Sequence, residues 1–123
     1  MLRRLEQELV VWLTTCDKRP QSVPVWFLWE EGGFLIYSVP GRKVNQLRAQ
    51  PNVHLNFNST RSGGDVVRFE GRAEVVASQA PATSNGAYIR KYSEQIERLG
   101  MTPDEFAQEY SIAIRVRPER VKT

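Results

Sequence analysis

Cysteine and histidine each occur once, as Cys16 and His54, in a chain of 123 residues. A single cysteine excludes an internal disulfide framework and a cysteine-only zinc site, and it suits a reducing compartment. His54 has no cysteine or carboxylate spaced to complete a metal site, so it reads as a strand-surface or interface residue and no metal centre is expected. Cys16 has no partner histidine in sequence and lies in an apolar run, which marks it as a packing residue. No apolar run approaches the ~20 residues of a membrane span. The start, "MLRRLEQEL", lacks the apolar region and cleavage site of a signal peptide. A soluble, cytoplasmic protein with no membrane partner is expected. No glycine-rich nucleotide fingerprint follows any strand, which argues against a Rossmann fold. Charge of one sign is also scarce: Lys and Arg number 17 against 14 Asp and Glu, a net charge of +3. The cations are spread along the chain, so small anions suit it better than nucleic acid.

What is present is period-2 alternation in a single domain over residues 1–123. "LRRLEQEL" puts Leu2, Leu5 and Leu9 at helical spacing, predicting a short helix with one apolar stripe on the body. "LVVWLTTC" and "QSVPVWFLW" read as two strands of an antiparallel hairpin, and "EEGG" turns the chain into "FLIYSV" as a third strand of a meander. "GRKVNQLRAQ" changes period to that of a helix, which Pro51 stops. "NVHLNFNS" and "DVVRFEGRAEVV" alternate cleanly as strands, with Gly71 and Ala73 small enough for a sharp bend. Tyr88, Ile89, Tyr92, Ile96 and Leu99 mark an amphipathic helix ended by Gly100, and "TPDE" is a capping box for a helix from Pro103 to about Glu109. "YSIAIRVRP" closes as a strand with Ile112, Ile114 and Val116 inward. Such an order predicts an α+β fold, a six-stranded antiparallel split β-barrel with short flanking helices.

Two places carry chemistry. In "SVPVWFLW" both faces are apolar, so something covers the outer side: a subunit interface, a covering helix or a flat aromatic ligand. Pro24 calls for an edge or irregular backbone there. The second place is "FLIYSVPGRKVNQL", where Arg42 and Lys43 stand in the first turn of a helix. Cations oppose the positive end of the helix dipole unless an anion joins them. Ser38, the Gly41 amide, Arg42 and Lys43 would form a strand-turn-helix phosphate cradle; the alternative is a solvated basic turn. No acid-base or nucleophilic machinery is visible, so no catalytic side chain is assigned and chemistry belongs to a bound cofactor.

The succession "LTT…DKRPQSVPVWFLWEEGGFLIYS…GRKVNQLRAQPNVHLNF…GGDVVRFEGRAEVV" resembles the pyridoxamine 5′-phosphate oxidase-like, FMN-binding split-barrel superfamily, and especially its small deazaflavin (coenzyme F-420)-dependent reductases. The similarity covers about residues 5 to 77. It implies a homodimer with cofactors in clefts between subunits, with Ser38, Arg42 and Lys43 on the cofactor phosphate. Val23, Pro24, Val25 and Trp26 would border the tricyclic ring, and Asn58 would be a further contact. The arginine and lysine that pyridoxamine phosphate oxidases carry in the second strand are missing, and so is their C-terminal substrate-phosphate motif. A deazaflavin F-420 oxidoreductase is therefore implied, passing hydride to a small unsaturated or quinone-like acceptor. The alternatives are an FMN enzyme of the same fold or a non-catalytic carrier of flavin, deazaflavin or haem.

Overall fold

Alternating burial builds the sheet. In the computed structural model, which describes residues 1–123, the elements in chain order are α1 (Leu2–Gln7), β1 (Val11–Cys16), β2 (Pro20–Val25), β3 (Leu28–Glu30), β4 (Gly33–Ser38) and α2 (Arg42–Ala49). They continue with β5 (Asn52–Asn56), β6 (Arg68–Val75), a 3-10 turn (Ala82–Ser84), α3 (Gly86–Arg98), α4 (Pro103–Glu109) and β7 (Ile112–Lys122). Val11, Leu13 and Thr15 of β1 turn inward, as do Val53 and Leu55 of β5 and Phe69, Gly71 and Ala73 of β6. All pairings are antiparallel, in the order β2-β1-β5-β6-β7-β4-β3.

The class is the expected one, a curled antiparallel split barrel with short helices, but it has seven strands rather than six. The extra strand comes from a break in "QSVPVWFLW" at Trp26 and Phe27. Upstream of the break β2 pairs with β1, downstream β3 pairs with β4, and these are the two edges of the sheet. One apolar run therefore links the two edges covalently: both expected hairpins form, but through separate halves of the second strand at opposite edges of the sheet rather than as three strands side by side.

The break is held from outside the sheet. The Phe27 N–H donates to Tyr92 Oη at 2.8 Å, and Lys91 Nζ donates to the Phe27 carbonyl at 2.8 Å. Tyr92 Oη also lies 2.7 Å from the Leu9 carbonyl oxygen and 2.9 Å from that of Phe27, with one hydrogen to share between them. Backbone groups expelled from the ladder thus find partners on α3, as buried peptide groups must.

Two apolar cores result. Inside the barrel, Phe27, Phe34, Phe57 and Phe69 pack with Val44 and Leu47 of α2, which plugs one end. Outside it, Leu35, Tyr37 and Ala113 of β4 and β7 are covered by Tyr88, Tyr92, Ile96 and Phe106 of α3 and α4. β4 is thus buried on both faces. Asn85 caps α3 through its own Oδ1, and Thr102 and Glu105 form the expected capping box on α4. At Gly71 the β6–β7 register shifts, and a Cβ would stand 2.8 Å from the Arg117 carbonyl oxygen, so close strand approach as well as bending requires glycine.

Two expectations fail. The helix α1 ends at Gln7, so only Leu5 reaches the core while Leu2 and Leu9 stay exposed. It is anchored instead by Arg4, which donates to the backbone carbonyls of Asp65 and Asn58, both at 2.8 Å. Cys16, the last residue of β1, is exposed rather than packed, because its side chain leaves the sheet beside the β1–β2 turn.

Candidate functional site

The turn "SVPG" brings the end of β4 next to the start of α2. Gly41, at φ +140°, caps α2 in a backbone conformation that other residues rarely adopt. No side chain caps this helix and no acidic residue stands in its first turn. Its free amides and positive dipole end are left facing the cations Arg42 and Lys43.

Successive helix residues point about 100° apart, and this separates the two cations. Lys43 joins Ser38 at a cavity of about 260 Å³ lined also by Pro24, Val25, Trp26 and Tyr37 of the sheet and by Tyr88, Phe106 and Tyr110 of the helix pair. Arg42 turns instead into an adjoining polar cleft with Asp17, Lys18, Arg19, Gln21 and Gln46. Burial pushes the Lys43 ammonium below its ordinary pKa, and no carboxylate pairs with it. Ser38 is buried, and its hydroxyl donates to the Val39 carbonyl at 3.0 Å. A half-buried cation without a counter-ion, at an uncapped helix start, fits an incoming anion.

Trp26 forms the flat wall. Its ring stacks on Tyr92 at 4.8 Å and 8° and on Phe106 at 5.5 Å and 20°. The covering-helix explanation for the doubly apolar strand therefore holds at Trp26 and Leu28, whose side chains pack against the outer core, while Phe27 points into the barrel. Upstream, β2 is an edge strand with Val23 and Pro24 exposed. Pro24 faces Trp12 across the ladder, and Trp12 Nε1 donates to Asn58 Oδ1 at 2.7 Å. Asn58 thus stands on the outer face of the β1–β2 pair, outside the cavity that gathers Pro24, Val25, Trp26, Ser38 and Lys43. His54 lies on that outer face too, opposite Thr14 and Glu70. No group of three or more His, Cys, Asp or Glu side chains is placed to hold a metal ion.

Over residues 1–123 the sequence matches the family described as pyridoxamine 5′-phosphate oxidase. The chain belongs to that family. No curated protein matches the sequence. Among solved structures, an FAD-binding protein from Mesorhizobium loti is 19% identical over 98% of this chain and 86% of its own, with a TM-score of 0.71. A structure described as an F420 reductase is 22% identical over 98% of this chain and 94% of its own, with a TM-score of 0.69. HutZ, a haem storage protein from Vibrio cholerae, is 18% identical over 99% and 91%, with a TM-score of 0.66. At such identities the likeness establishes the fold. The family resemblance in the sequence ended near residue 77, so Tyr88, Leu99, Phe106 and Tyr110 of the cavity had no motif to mark them. Tyr88 and Leu99 were signalled only by the apolar stripe of α3, and Phe106 and Tyr110 only by standing in and just after the capped helix α4.

Proposed function

We propose that the protein is an oxidoreductase that holds a phosphate-bearing deazaflavin, coenzyme F-420, with FMN as the alternative cofactor. The observation that carries this reading is the meeting of Ser38, the unpaired Lys43 and the uncapped start of α2 at a cavity walled by Trp26. Ser38, Lys43 and the α2 amides would take the phosphate, and Arg42 would add charge from the adjoining cleft. Val23, Pro24, Val25 and Trp26 would border the ring, which has to extend over the exposed edge of β2 because 260 Å³ falls short of a whole cofactor. Asn58 would meet it on the outer face. That edge is where a second copy of the chain would complete the cleft, giving a homodimer.

When bound and reduced, the cofactor supplies hydride to a small unsaturated or quinone-like acceptor. The chain supplies orientation and a dry wall. Tyr37 and Tyr88 are pushed up from their ordinary pKa by burial first, so neither is poised as a base near neutrality.

Fluorescence titration with F-420 and FMN side by side, followed by anaerobic reduction of a quinone acceptor, tests the reading. Binding of either cofactor with turnover supports it, and the tighter ligand names the cofactor. Binding without turnover would leave a carrier, and failure to bind both would overturn it.

A further inference from the structure

Asn58 lies at the start of the loop between β5 and β6, and its exposed side chain is oriented by a group that can only donate. Trp12 Nε1 gives its hydrogen to Asn58 Oδ1 at 2.7 Å. An indole nitrogen carries a hydrogen and accepts none, so the amide oxygen must face Trp12 and the Nδ2 amino group is the end left free. Nδ2 makes no hydrogen bond within the chain. Two donors are thus offered on the outer face that Trp12 shares with Pro24, its neighbour across the ladder.

The backbone that carries this amide is held as well. Arg4 of α1 donates to the Asn58 carbonyl through Nη2 and to the Asp65 carbonyl through Nη1, both at 2.8 Å, so one guanidinium joins the two ends of the loop. Nη1 also lies 3.3 Å from the Asp65 carboxylate, and Glu8 Oε1 accepts from Nη2 at 3.0 Å. Asp65 stands at φ +55°, a left-handed conformation that residues other than glycine rarely adopt. The Arg4 side chain is only 18% exposed, its guanidinium 5.0 Å from the centre of the Phe57 ring. A polar surface loop is ordinarily mobile, and the planar fork of an arginine is what reaches both of its ends here; a lysine ammonium has no such fork.

We propose that Arg4 and Trp12 are positioning residues, which together fix Asn58 so that its Nδ2 donates to a carbonyl oxygen of the pyrimidinedione ring that flavins and deazaflavins share. The edge of that ring alternates carbonyl acceptors with an N–H donor. An amide free to turn could meet either group, whereas one held with its oxygen on Trp12 selects a carbonyl. The identity of the ligand rests on the oxidoreductase reading; the orientation of Asn58 does not.

Two readouts separate the orientation from the ligand. In cofactor-free protein, Asn58→Ala should move the proton resonance of the Trp12 indole N–H upfield and leave those of Trp26 and Trp29 in place. In titrations followed by cofactor fluorescence, Asn58→Ala should bind F-420 or FMN about fivefold to tenfold more weakly than wild type. Asn58→Asp keeps an oxygen for Trp12 but replaces the donor by an acceptor, so it should bind at least as weakly while melting with wild type. Trp12→Phe and Arg4→Lys should each weaken binding about threefold, and should cost little more once Asn58 is already alanine. An unmoved indole resonance, wild-type affinity in Asn58→Ala or Asn58→Asp, or equal losses from the Trp12 and Arg4 changes with and without Asn58 would each overturn the proposal and leave the oxidoreductase reading standing. Failure of wild type to bind either cofactor would overturn both.

Discussion

Lys43 and Arg42 are adjacent in sequence, yet they serve different concavities, and their substitutions are expected to separate. Lys43→Ala removes the half-buried charge at the cavity and should weaken cofactor binding by about 1.5–3 kcal/mol, the range for a charge-assisted hydrogen bond. The cofactor-free melting temperature should hold or rise, because a desolvated cation at a helix start is lost. Arg42 is exposed in the polar cleft, so Arg42→Ala should cost about 1 kcal/mol or less. Fluorescence titration of both variants checks this, and equal losses would mean that the two cations share one phosphate. His54 faces out beside Thr14 and Glu70 with no contact to the cavity, so His54→Gln should keep most activity. An inactive His54→Gln would point to side-chain catalysis on the outer face. For the ring wall the informative change is Trp26→Phe rather than alanine, because Trp26 also stacks on Tyr92 and Phe106 and its truncation would loosen the outer core.

Among the elements, α3 decides where the barrel opens. Its Tyr92 hydroxyl takes the Phe27 N–H and its Lys91 caps the Phe27 carbonyl, which fixes the point where one strand becomes two. Lys91 Nζ sits over the Phe27 ring at 3.8 Å, adding a cation–π contact. Tyr92→Phe deletes the acceptor of a buried amide and should lower stability by about 1–3 kcal/mol. It should also blunt ring binding at Trp26, the residue next to the break. Urea denaturation checks the first effect, and full wild-type stability would show that the Phe27 amide has another partner. The start of α3 is tied to the barrel as well: Arg115 binds Glu30 at 2.9 Å and Gln79 at 3.0 Å, and Asn85, the cap, lies 3.4 Å from Glu30.

The whole molecule should show its buried cations in its response to pH. Burial pushes Lys91 down to about 8, with Glu8 pulling in the opposite direction. Between that value and the ordinary lysine pKa of about 10.4 the unfolded chain holds a proton that the folded chain has shed, so stability rises with pH across the window. Lys43, lowered by the same cause, acts in the same direction. Tyr88 and Tyr92 act oppositely, because burial raises them and above about pH 10 the unfolded chain loses protons that the fold retains. The urea midpoint is therefore expected to climb from about pH 8 to about pH 10 and then fall, with the climb reduced in Lys91→Met. A midpoint flat over that range would show that the ammonium stays charged against Phe27. At the same scale, β2 is an edge strand with Val23 and Pro24 exposed, beside Trp12 and His54 on β1 and β5. A homodimer through this face is expected by sedimentation at micromolar concentration with cofactor present, and a monomer under those conditions would refute it.

Period-2 alternation placed most strands, the TPDE box placed α4 to the residue, and the strand-turn-helix run from Phe34 to Leu47 placed Ser38 beside Lys43. All of these depend on sterics and hydrogen bonds within a few residues, which a sequence displays directly. The split at Trp26 and Phe27 does not, because the groups that satisfy Phe27 lie 64 and 65 residues away on α3. The same holds for the cavity, where Tyr88, Phe106 and Tyr110 meet Trp26 only after the curled sheet and the helix pair have docked. Short-range periodicity determined which segments are strands and helices. Long-range closure alone decided which of their side chains share a cavity, because a contact between distant segments depends on the packing of everything between them.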